Sequence, residues 1–163
     1  MKTKTKVILT TSACTIAAIA LGGNTPLGEM IWPAKELHTP PSPAQIPAFI
    51  LVSLVEAVAF GLGVSFLAFG YPHVRRRIDS AREAAPVFVA IGWLLISWFP
   101  HDNLHMFFGE NPTGLLVLLW AFHVTLIAAG LIVARSLVLR RPIDGTRATP
   151  HRSGIGTTLS RPV

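Results

Sequence analysis

The stretch GLLVLLWAFHVTLIAAGLIVA, residues 114–134, holds one ionisable side chain, His123, in twenty-one positions. At ~1.5 Å of rise per residue it makes a helix of about 32 Å, enough to cross a hydrocarbon layer of ~30 Å. A helix on the surface of a soluble domain shows a polar face, and this stretch has none. It reads as a transmembrane span.

Three more apolar stretches follow the same logic. Residues 47–70 are interrupted by one acid, Glu56. Residues 85–99 are short for a span, so the helix must extend back toward Ser80, draw the segment after Pro100 toward the membrane, or thin the bilayer. Residues 7–23 follow Lys2, Lys4 and Lys6 and are diluted by Thr10, Thr11, Ser12 and Thr15. This first run has two readings, an uncleaved span or a signal peptide with Ala18-Ile19-Ala20 at its cleavage site. A lipoprotein signal ending at Cys14 fits poorly, because the apolar run before it is too short.

Composition agrees with the spans. Charged residues are 13% of the 163, about half the ~25% of a soluble domain, and apolar residues are 51%. That leaves no room for a second, water-soluble domain and excludes a disordered chain. The single cysteine excludes a disulfide framework and any cysteine-based zinc site. The expected fold is an all-α integral membrane protein, a four-helix transmembrane bundle, or three helices if the first span is cleaved. The expected organisation is an N-terminus at 1–6, spans at about 7–23, 47–70, 83–100 and 113–135, and outer loops at 24–46 and 101–112. A basic, disordered cytoplasmic tail closes the chain at 141–163. The Pro-rich outer loop is expected to be extended and stiff, with one helical turn at 33–37.

Charge sets the expected orientation. Four spans with both ends inside put thirteen of the fourteen Lys and Arg on the cytoplasmic side, with Lys35 the exception. Glu29, Glu36, Asp102 and Glu110 fall in the outer loops. The net charge of +6 therefore reads as a topology signal and an attraction to anionic lipid, not as a nucleic-acid surface. The expected location is the plasma membrane of a bacterium, multi-pass. The expected partners are the bilayer and other membrane proteins or further copies of the chain.

Few residues can carry chemistry. Glu56 and His123 are ionisable groups inside spans, where such groups are costly. Each lies nine residues from the outer end of its span, so the two reach similar depth and form a candidate intramembrane polar pair. Pro100-His101-Asp102-Asn103-Leu104-His105 places two imidazoles at i and i+4, on one face if the segment is helical. Pro100 suits the first position of such a helix. His101, Asp102 and His105 are the candidate metal ligands, and imidazoles with a carboxylate suit copper, zinc or iron. The pattern is not the zinc-protease motif, because Asp102 stands where that motif needs Glu. A haem held by two histidines between spans would need a second deep histidine, and none exists. In the following turn Pro112 ends the preceding segment and Thr113 is the expected cap of the last span. On the second span Ala57, Gly61 and Ser65 form a stripe of small residues that permits close helix approach, and Ala59 with Gly63 forms another.

The sequence thus points to a protein that binds a metal ion or small polar ligand at its outer face, as a redox, metal-handling or sensing accessory. The alternative is a structural or assembly subunit of a larger membrane complex, in which the polar residues only cap and pack helices. An enzyme acting on lipid or quinone through a His–Asp or Glu–His pair is the weakest reading, since no nucleophile is visible.

Overall fold

The computed structural model describes residues 2–33 and 41–138. The expected tail at 141–163 and Lys35 lie outside the described residues. So does most of the expected helical turn at 33–37. Among the described residues the protein is all-helical. The helices are α1 (Thr3–Leu21), α2 (Pro26–Ile31), α3 (Ile46–Phe69), α4 (Tyr71–Arg77), α5 (Ala81–Ile96), α6 (Trp98–Phe108) and α7 (Pro112–Val138).

Three of these, α1, α3 and α7, are each long and apolar enough to cross a membrane. The helices α5 and α6 pass the same test only when taken together, and they are bent by 47° at Ser97. Large apolar side chains of α3 and α7, such as Ile50, Leu51, Leu116 and Ile127, are exposed. Few soluble monomers tolerate such a surface, but it suits helices bathed in lipid.

The small-residue stripe explains how α1 is held. Ala57, Gly61 and Ser65 are buried. Gly61 sits against the Thr11 carbonyl and Thr15, where a Cβ has no space. The Ser65 hydroxyl donates to the Val7 carbonyl at 3.2 Å. Gly63 turns the other way, against Leu95 and Ile96 of α5. Thus α3 has partners on two sides, and both depend on missing side chains.

The short third apolar stretch is resolved in two ways at once. The helix begins at Ala81, ahead of the apolar run, and beyond Ser97 it continues at an angle as α6. Pro100 accounts for the bend. It has no N–H to offer the Ile96 carbonyl, and its ring pushes that carbonyl away. Pro100 is therefore the third residue of α6, not the first, and the helix starts at Trp98. Gly109 ends α6 with φ 55°, a left-handed conformation that favours glycine.

One short helix was not expected, and one cap expectation changes. Residues Pro26–Ile31 form a helix in the segment after α1, where the Thr25 hydroxyl accepts from the Gly28 N–H at 2.9 Å. The last span is capped by Asn111 and not by Thr113. The Asn111 side-chain oxygen accepts from the Thr113 and Gly114 N–H groups at 3.0 and 3.3 Å. Pro112 is then the first helical residue, a position that needs no N–H.

Candidate metal centre

Helix α7 is not regular. Residues Leu119–Val124 form a π-helical turn, in which each N–H reaches the carbonyl five residues back and one extra residue is accommodated. The local chemistry supports the wide turn. The Thr125 hydroxyl donates to the Ala121 carbonyl at 2.6 Å and lies 3.1 Å from the Phe122 carbonyl. The same oxygen accepts from the Trp93 indole N–H of α5 at 2.9 Å. Trp93 also stacks on Phe122, with ring centroids 5.7 Å apart. One tryptophan thus holds the wide turn from outside while the threonine satisfies it from within.

The turn carries His123 to α6. There His101 and His105 lie one turn apart on the same helical face, their ring centroids 4.5 Å apart. The His123 ring centroid is 4.9 Å from that of His101 and 6.3 Å from that of His105. One nitrogen from each of the three imidazoles can be chosen so that all three lie within 4.8 Å of one another. Tetrahedral ligands at ~2.0–2.1 Å from a zinc ion are roughly 3.3 Å apart, so modest side-chain closure completes a site. The Nε2 atom of His101 is buried and has no hydrogen-bond partner among the described residues. A polar atom in that state costs about 1–3 kcal/mol, and a bound ion would offset the cost. Phe122 and Trp98 pack their rings on His101, with centroids 5.4 and 6.2 Å away. His123 is exposed on the side of α7, so the cluster is open on one flank.

The other predicted residues have different neighbours. Asp102, with Glu56, lines a separate cleft of about 250 Å³ between α1, α3 and α6. The three-histidine group does not include Asp102. Glu56 and His123, expected as a pair, are thus placed in different surroundings, one in this cleft and the other among the histidines. Asn103, buried on the same side as Asp102, fixes α6 against α1. Its side-chain oxygen accepts from the Gly23 N–H at 2.6 Å, and its amide donates to the Phe99 carbonyl at 2.7 Å.

The spacing of His101 and His105 could be read from the sequence. The membership of His123 could not, because it depends on the wide turn of α7 and the bend before α6. The only signal in the chain was an ionisable residue at a depth where it needs a partner.

The molecule is a small bundle of helices with membrane-spanning character, carrying three clustered imidazoles at one end. No protein-family model matches the chain, and neither does any curated protein or solved structure.

Proposed function

We propose that this is a multi-pass membrane protein that binds one transition-metal ion, copper, zinc or iron, through His101, His105 and His123. It would act as a redox, metal-handling or sensing accessory. The observation that carries the reading is the convergence of three imidazole nitrogens within 4.8 Å from two helices. Neutral imidazoles are good ligands for all three metals, and a three-nitrogen set leaves a coordination position for water or a substrate.

In this reading α5 with its bent continuation α6 is the fourth crossing, and α1 is an uncleaved span seated on α3. Support for the orientation comes from the charges. The N-terminal end of α1, the Arg75-Arg76-Arg77 run and the C-terminal end of α7 lie at one end of the bundle, and the histidines lie at the other. The basic end is then cytoplasmic and the metal faces outward, as in a bacterial plasma membrane.

The test is to purify the full chain in mild detergent and measure bound metals by elemental mass spectrometry. His101→Ala/His105→Ala and His123→Ala are measured beside it. The expected result is about one ion per chain, lost in variants that remain helical and monodisperse. Absence of metal after loading with copper, zinc and iron would sink the proposal. The protein would then be read as a structural subunit, with the histidines packing α6 to α7.

A further inference from the structure

At the end of the bundle away from the histidines, α4, α5 and α7 enclose a second cleft of about 690 Å³. Its basic groups are His73 and Arg77 of α4, and much of its wall is Val87 and Ile91 of α5 with Val133 and Leu137 of α7. The Ser136 hydroxyl, which also faces the cleft, donates to the Val133 carbonyl at 2.8 Å. The cleft therefore joins an arginine and an imidazole to apolar walls supplied by two helices.

The surrounding charge is mostly positive. Arg75, Arg76, Arg77, Arg82 and Arg135 stand at this end against Asp79 and Glu83. Arg75 is engaged with its own loop, where its guanidinium donates to the carbonyls of Ile78 and Asp79 at 2.5 and 2.7 Å. That contact closes the α4–α5 connection around the buried cluster of Val74, Ile78, Ala84 and Val87, which forms a firm floor. A free anion would use only the basic groups of the cleft. An amphiphile with a negative headgroup would use the basic groups and the apolar walls together, each in the phase it requires.

We propose that this cleft is a binding site for an anionic phospholipid. The phosphate sits between His73 and Arg77, and an acyl chain lies between α5 and α7 against Ile91 and Val133. Arginine supplies a planar fork matched to phosphate oxygens, and the imidazole supplies a further donor. The proposal is independent of the metal at the opposite end.

The experiment uses the full chain in mild detergent, titrated with phosphatidylglycerol, phosphatidylcholine or inorganic phosphate, with bound species counted by native mass spectrometry. The first phosphatidylglycerol is expected to bind about fivefold more tightly than phosphatidylcholine, a size set by one arginine near a lipid phosphate. His73→Ala/Arg77→Ala should abolish that preference. Arg76→Ala/Arg135→Ala, which removes two cations of the same end that do not line the cleft, should keep most of it. Ile91→Trp obstructs the apolar wall with His73 and Arg77 intact and should weaken phosphatidylglycerol binding. If His73→Ala/Arg77→Ala does not fold, Ile91→Trp decides the question. Equal affinity for the two lipids, or equal losses in the two double variants, would overturn the proposal. So would inorganic phosphate that binds as tightly as the lipid and displaces it, because the cleft would then be a simple anion site.

Discussion

The indole N–H of Trp93 donates to the Thr125 hydroxyl at 2.9 Å, and that hydroxyl donates onward to the Ala121 carbonyl at 2.6 Å. This chain links α5 to the wide turn of α7, and the wide turn places His123. A positioning role for Trp93 and Thr125 follows, although neither would offer a ligand to the proposed metal.

Thr125→Val removes the hydroxyl at nearly constant volume. It is expected to lower metal affinity about 10–100-fold, the usual effect of losing a group that orients a ligand. Thr125→Ser should restore most of the affinity. Competition against a chelator of known affinity measures both. An unchanged affinity in Thr125→Val would separate the wide turn from the site.

Metal retention should fall with acid. Each imidazole must offer a lone pair to the ion, so protons and metal compete for the same nitrogens and affinity is lost on the acid side. Dialysis from pH 8 to pH 5 against a weak chelator, followed by metal analysis, should show progressive release as the pH falls. Retention that does not change across this range would argue against imidazole ligands.

Asn103→Ala should destabilise the end of the bundle that carries the histidines. It leaves the Gly23 N–H without its partner at a buried position, at a cost of about 1–3 kcal/mol. Asn103→Asp keeps the oxygen that accepts from Gly23 and loses the donation to Phe99. It should therefore fall between wild type and Asn103→Ala in a thermal unfolding series in detergent. The reverse order would mean that the Phe99 bond matters more.

Gly61→Val tests whether α1 belongs to the bundle. A side chain there meets Thr15 and the Thr11 carbonyl, and overpacking of this kind costs about 1–3 kcal/mol. The expected outcome is a lower melting temperature and faster proteolysis between α1 and α3. A neutral substitution would mean that α1 packs loosely or elsewhere.

Much of the fold was legible because lipid leaves few choices. Long apolar runs marked α1, α3 and α7, and the stripe at Ala57, Gly61 and Ser65 marked a close helix contact. The spacing of His101 and His105 gave two residues of the candidate site. Three local effects hid the rest. Pro100 sits inside a bent helix, so its effect depended on where the helix began. Asn111 took the cap that Thr113 was also equipped to provide. The turn at Leu119–Val124 broke the 3.6-residue period on which any assignment of helix faces rests. Asp102 was grouped with the histidines because it is their neighbour in sequence. On a helix, however, it lies about 100° round from His101, toward α1 and α3.

The wide turn also divides the last span into two separately phased halves. It acts as a one-residue insertion, so a helical wheel drawn from one end goes out of register on crossing it. The half that carries His123 is free to address α6 while the other half keeps its alignment with α5. Drift in the first half need not disturb the packing of the second, and one continuous helix can serve two neighbours with incompatible geometries.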